Sequence, residues 1–238
     1  MNMSLSITPQ ELVIIVAAQN QSPAVFNLEF LKYSGIIPSE WELARQPIYT
    51  PQVVQLAFQN SVVITAQAGR ILFTETIESK DFSVIEIIQV ARRCIQSLPN
   101  MEYEAVGINP AGHVEFDPPE ATSTYLSKTL LADGPWQTIG QAAPRTRLSF
   151  TYTLERSPFN LTISEAKIRQ ADETLKPVIV FGGNFDYVLE GTTQPEKLQH
   201  LHQVLDHAQA DLDTYQALIN QNFLSVIESQ PTLLPVFA

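Results

Sequence analysis

The chain has 238 residues, 45% of them hydrophobic and only 16% charged, with a formal net charge of −11 from 25 acidic and 14 basic side chains. That length holds one large domain or two small ones around a sizeable core. The charge disfavours nucleic acid and anionic membrane surfaces, because affinity for either rests on clustered Lys and Arg, and no basic cluster here exceeds pairs such as Arg92-Arg93 or Arg145/Arg147.

The charged share is below the usual quarter, so much of the surface is neutral. A neutral surface loses less on desolvation against a partner. The single cysteine, Cys94, rules out an intramolecular disulfide and a thiolate metal cluster. It lies in an apolar-periodic segment, which predicts a buried, inert thiol in a reducing compartment. The apolar run at 12–18 is too short to span a membrane. No Lys or Arg precedes it, the first basic residue being Lys32, so it is not read as a signal peptide. The expectation is a cytoplasmic protein that binds neither membrane nor nucleic acid.

In chain order, Thr8-Pro9-Gln10-Glu11 has a cap residue, a proline at the first helical position and a glutamate at the third. This predicts a helix over 9–19, against the strand preference of the β-branched run at 13–16. Residues 24–33 read as a partly alternating strand. Segments 53–58, 61–67 and 70–77 form a meander with short breaks at Gln59-Asn60 and Ala68-Gly69. A helix capped by Asp81 or Ser83 runs to about Leu98, before Pro99. Strands at 104–108 and 113–116 flank Asn109-Pro110-Ala111-Gly112, read as a hairpin turn. Asp117-Pro118-Pro119-Glu120 opens a helix to about Leu131. Strands at 146–155, 160–169 and 177–189 follow; the last contains Gly182-Gly183, a mark of a bulge or close backbone approach. Thr193-Gln194-Pro195-Glu196 opens the longest helix.

Tight turns imply antiparallel pairing with helices gathered on one face. The fold class read from this pattern is α+β. Two similar α–βββ–α units, 1–117 and 118–238, form antiparallel sheet covered on one face by helices, ending in a long C-terminal helix. No flexible linker separates the units, so they are compatible with one continuous sheet. This layout, with a C-terminal helix ending in Phe223-Leu224-Ser225-Val226-Ile227, resembles an uncharacterised, sporadically distributed bacterial family of duplicated antiparallel α+β proteins. The family's usual run ahead of the first strand is not recognisable here. The resemblance implies a fold and no activity. In element order the halves also look like the saddle repeat of TATA-binding proteins, whose DNA binding is at odds with this acidic chain.

Candidate chemistry is sparse. His113, Glu115 and Asp117 alternate along one strand and so share a face; histidine with carboxylates is the type of set that binds metal or moves protons. Asp117 also has a competing role as a helix cap. His200, His202 and His207 lie within eight residues, with His202/Asp206 and His207/Asp211 at i,i+4 spacing; as ordinary helix-surface pairs they need no ion. Leu198, Leu201, Leu205, Ala208, Leu212, Tyr215 and Ile219 follow 3-4 spacing, an a/d seam of three heptads. It packs either on the chain's own sheet or against a helix of a second copy. A long helix overhanging short strands favours a homodimer. Asn184-Phe185-Asp186-Tyr187 is the best loop-like binding edge. None of the phosphate-cradle, dinucleotide, nucleophile-elbow, zinc-protease or C-x-x-C motifs occurs, and no cofactor is implied.

The function this supports is a non-catalytic protein-interaction or scaffold protein using a sheet face or the C-terminal helix. The alternative is a small-molecule binder or metal-dependent enzyme centred on His113 and Glu115, with Asp186.

Overall fold

The computed structural model describes residues 5–77, 85–119, 121–141, 144–170 and 172–225. Its centre is one antiparallel sheet of nine strands in the order β2-β3-β4-β5-β1-β6-β9-β8-β7. The strands are β1 (Thr8–Gln19), β2 (Ile48–Tyr49), β3 (Val53–Ala57), β4 (Val62–Gln67), β5 (Arg70–Thr76), β6 (Glu102–Val114), β7 (Arg147–Thr153), β8 (Pro158–Arg169) and β9 (Leu175–Val188). The helices are α1 (Leu28–Tyr33), α2 (Ile87–Ser97), α3 (Ala121–Thr124, continuing as a π-helix over Tyr125–Leu130) and α4 (Gln194–Leu218, continuing as a π-helix over Ile219–Leu224). The mixed helix-and-strand class, the antiparallel sheet and the long C-terminal helix agree with the sequence pattern, as do the three meander strands β3–β5.

Three local expectations fail, each for a tertiary reason. The segment read as a helix over 9–19 is β1, paired with β5 on one side and β6 on the other. Its β-branched run places Ile14 and Val16, with Leu12 and Ala18, on the buried face. The gain from burying that row outweighs a local capping signature. The segment read as a strand over 24–33 is a 3₁₀ turn (Pro23–Val25) and α1. The Asn27 side chain accepts a hydrogen bond from the Phe30 N–H at 2.9 Å, capping α1. The turn read at Asn109-Pro110-Ala111-Gly112 does not form. All four residues lie inside β6, a single 13-residue strand at the middle of the sheet.

Proline in a central strand has no N–H to give the ladder. The register shows the consequence: β9 pairs with Ile108 and Ala111 but has no residue paired with Asn109 or Pro110.

Two helix starts are supplied differently from the sequence expectation. The predicted caps of α2, Asp81 and Ser83, lie outside the described residues. The fully buried Glu75 of β5 serves instead, its Oε2 accepting from the N–H groups of Glu86 (2.8 Å) and Ile87 (3.0 Å). A side-chain oxygen at a helix start satisfies N–H groups that have no partner within the helix. The third helix opens at Ala121 rather than directly after Asp117. The start of α4 is as read: Thr193 accepts from the Glu196 N–H and Glu196 accepts from the Thr193 N–H, a reciprocal box.

The core is one cluster between the sheet and the helices, including Ile14, Phe73, Val106, Phe181, Phe185 and Tyr215. The helix α4 lies mainly over β6 and reaches β9, with Tyr215 Oη donating to the Phe181 carbonyl at 2.7 Å. Leu201, Leu205, Ala208, Leu212, Tyr215 and Ile219 are each at most 1% exposed, and Leu198 packs on the edge of the same cluster. The seam therefore faces the chain's own sheet and presents no free stripe to a second helix. The overhang argument also lapses: β1, β6, β8 and β9 have 12, 13, 12 and 14 residues, or about 40–46 Å at ~3.3 Å per residue, as long as the helix that lies on them.

Candidate functional site

The strand period of two gives each strand two rows. One row, including Leu12, Ile14, Phe73, Val106, Ile108, Phe181 and Phe185, lies under the helices. The other row forms a second face on which, among the described residues, no helix packs. At its centre stand Leu72 and Thr74 of β5, Val13, Ile15 and Ala17 of β1, Ala105, Gly107, Asn109 and Ala111 of β6, Gly182 and Asn184 of β9, and Asn160 and Thr162 of β8; the register aligns them. All are half-buried by their neighbours in the sheet. The middle of this face carries no formal charge. Charge begins directly around this patch: Asp186 opposes Gly107, Glu11 opposes Ala111 and Arg70 opposes Ala17, with Arg147 farther out on the edge strand β7. Burial pushes the Glu11 carboxyl above its ordinary value.

A line of side-chain hydrogen bonds crosses this face at right angles to the strands. Thr151 Oγ1 donates to Asn160 Oδ1 (2.8 Å), Asn160 Nδ2 to Asn184 Oδ1 (3.2 Å), Asn184 Nδ2 to Asn109 Oδ1 (2.7 Å), and Asn109 Nδ2 to the Val13 carbonyl (3.1 Å). The Asn184–Asn109 bond spans the place where Pro110 leaves the β6–β9 ladder unpaired. Gly107 makes room for it: a Cβ there would lie 3.1 Å from Asn109 Nδ2 and 3.4 Å from Asn184 Nδ2. Each asparagine uses one of its two N–H groups in this line, leaving one N–H and acceptor capacity for a molecule laid on the face. Sequence reasoning missed the line, taking Asn109 for a turn residue and Asn160 for the start of a strand. The signal was that Asn160 and Asn184 sit in strand-like runs, where the residue is normally depleted; the edge read as loop-like at Asn184-Phe185-Asp186-Tyr187 lies inside β9.

The two glycines of β9 serve opposite ends. A Cβ on Gly183 would lie 3.0 Å from Phe159 and Tyr215 and 3.2 Å from Pro110, so α4 approaches the sheet too closely for any side chain there. A Cβ on Gly182, on the other face, meets nothing within 4 Å.

Of the predicted metal set, His113 Nε2 and Glu115 Oε1 come within 3.6 Å, but Glu115 Oε2 accepts a 2.5 Å hydrogen bond from Lys176 Nζ. The Lys176 hydrogen bond holds the Glu115 carboxyl below its usual range. Glu115 thus faces His113 through one oxygen and the Lys176 ammonium through the other. Asp117 does not join them, and Asp186 lies far off: His113 pairs with Val180 while Asp186 pairs with Gly107, six strand positions away or about 20 Å. No group of three metal-ligating side chains forms among the described residues. On α4, His200 Nδ1 accepts from the Glu190 N–H at 2.8 Å and His207 Nδ1 lies 2.8 Å from the Gln203 carbonyl. Asp206 pairs with Arg92 of α2 rather than with His202. Burial, and then the Arg92 charge, lower the His202 pKa.

The buried carboxylate of this helix is Asp211. It is fully buried, accepting from Arg156 Nη2 at 2.6 Å and from Tyr187 Oη at 2.7 Å. Burial, then the Asp211 hydrogen bond, raise the Tyr187 phenol. This cluster fastens the β7–β8 turn and β9 to α4. It was legible in principle, since Asp211 stands three positions after Ala208 on the apolar stripe. Cys94 is free and fully buried, and burial pushes its thiol up to about 12.

No family model matches the chain, and no curated protein matches it either.

Proposed function

We propose that this chain is a non-catalytic interaction protein, and that it engages another protein surface through the helix-free face of its sheet. The observation that carries the reading is the uncharged centre of that face in a molecule of net charge −11. Charges depleted at the centre and retained at the rim are the usual anatomy of an interface, because few ions then need to be desolvated. Four strands of about 40 Å and five shorter ones, each about 4.8 Å from the next, give a face of roughly 1,200 Å². That exceeds the ~800 Å² per partner of a standard interface. Two molecules this acidic repel at most orientations. They meet at least cost across a neutral face, and a second copy of the chain is the occupant we assign to it.

Twofold use of one element order supports a second part of the reading. Strand, helix, meander and helix occur as β1, α1, β2–β5, α2 and again as β6, α3, β7–β9, α4. We read these as two related units meeting between β1 and β6, with the boundary between α2 and β6 rather than at 117.

Gly182→Arg tests the assignment, because it sets a cation at the middle of the face where a side chain has room. Light scattering over a micromolar concentration series is expected to give the dimer mass for the parent chain and the monomer mass for Gly182→Arg, with the same Tm. A parent chain that stays monomeric, with no protein captured in its native host by a photoreactive residue at position 182, would overturn it.

A further inference from the structure

On the helix side of the sheet, beyond the last core residues, lies a cavity of about 690 Å³. Its walls come from four segments: Pro119 and Thr122 around the start of α3, Arg145 ahead of β7, Glu165 and Lys167 on β8, and Pro177 on β9. The row of β8 that gives Phe159, Leu161 and Ile163 to the core changes character here and continues as Glu165, Lys167 and Arg169, all exposed. Packing does not require the strand to extend this far, since the extension buries no side chain on that row.

Three features of the cavity point the same way. Arg145, Glu165 and Lys167 have no ion-pair partner among the described residues. Two free cations against one carboxylate make a net positive pocket in a strongly acidic molecule, which concentrates anions locally. The hydroxyl of Thr122, a residue 1% exposed, has no hydrogen-bond partner. A buried hydroxyl without a partner costs free energy that a bound acceptor restores. We infer that this cavity binds a small organic oxyanion, its carboxylate or phosphate head held by Arg145 and Lys167 and accepting from Thr122. Glu165 takes a hydroxyl or amino group of the same molecule. Arginine with lysine is the pairing suited to such a head, one as a planar fork and the other as a point charge.

The test is calorimetric titration at fixed ionic strength with inorganic phosphate and with malonate, against chloride. One of the two oxyanions saturates at one per chain. Arg145→Gln and Lys167→Gln each weaken that binding by about tenfold or more, the scale of one charge-assisted hydrogen bond. Glu165→Gln tightens it, because a bare oxyanion loses a repelling neighbour. Lys176→Gln, whose ammonium belongs to the Glu115 pair outside this cavity, leaves it unchanged. No saturable binding of either probe would overturn the assignment, as would an equal loss in Lys176→Gln. Either result leaves the sheet-face reading standing, since the cavity lies on the opposite side.

Discussion

The two faces of the sheet are made by alternate residues of the same strands, yet they obey different rules. On the helix face Phe181, Phe185 and Tyr187 are at most 6% exposed, and Phe185 packs tilted against Phe159 with ring centroids 4.4 Å apart. One position away, Gly182 and Asn184 pack against no described helix. A residue on the first face is fixed by volume, and one at the centre of the second is restrained, among the described residues, by its neighbours in the plane of the sheet. Consequently the first face explains stability, and the second is where sequence choices are free to serve something else.

Adjacent substitutions break or sharpen this contrast. Phe185→Ala removes a fully buried ring and is expected to cost about 3–5 kcal/mol in urea unfolding. Asn184→Ala, its neighbour, opens the amide line where water can reach the orphaned groups and should cost only about 1 kcal/mol. Equal losses would mean that the second face is as tightly covered as the first. The glycines give the next step down: Gly183→Ala, forced against Tyr215 and Pro110, should lose about 1–3 kcal/mol. Gly182→Ala should stay within about 0.5 kcal/mol of the parent.

Cys94, under the helix face, supplies a pH-dependent effect. Its thiol stays protonated up to about 12 in the folded chain against an ordinary value of 9.0, so unfolding releases a proton between those values. The contribution is fully present below pH 9 and is lost as pH rises toward 12. Cys94→Ala should therefore flatten the alkaline fall in stability, part of which remains because burial also raises Tyr103, Tyr125 and Tyr215. A native thiol that reacts with a disulfide reagent at pH 8 as fast as the unfolded one would contradict its burial.

How much was legible depended on whether a signal was local. The reciprocal box at Thr193 and Glu196, the meander strands and the apolar period of α4 are set by residues within a few positions of one another, and they appear as read. The Thr8-Pro9-Gln10-Glu11 signature is equally local, but β1 lies between two long strands and the sheet overrules it. Asn109-Pro110-Ala111-Gly112 has turn chemistry, yet β1 and β9 on either side hold it extended. His113 and Glu115 do come together as the alternation implied, but the Lys176 ammonium on the other Glu115 oxygen comes from 61 positions along the chain. Separations of 75 and 55 positions likewise hid the Asn109–Asn184 bond and the Arg156–Asp211 pair.

By itself the amino-acid sequence determined the class of the fold, the antiparallel pairing of its hairpins, the one-sided apolar stripe of its last helix and the negative, sparsely charged character of the whole. Those follow from composition, turn chemistry and periodicity, which act between near neighbours. Only the tertiary structure decided that the first segment is a strand, that the heptad seam is used up within the chain, which face of the sheet carries no helix among the described residues, and that Arg145, Lys167 and Thr122 share a cavity. Each of these turns on burial and on contacts between residues far apart in the chain, and no short-range pattern encodes where such partners meet.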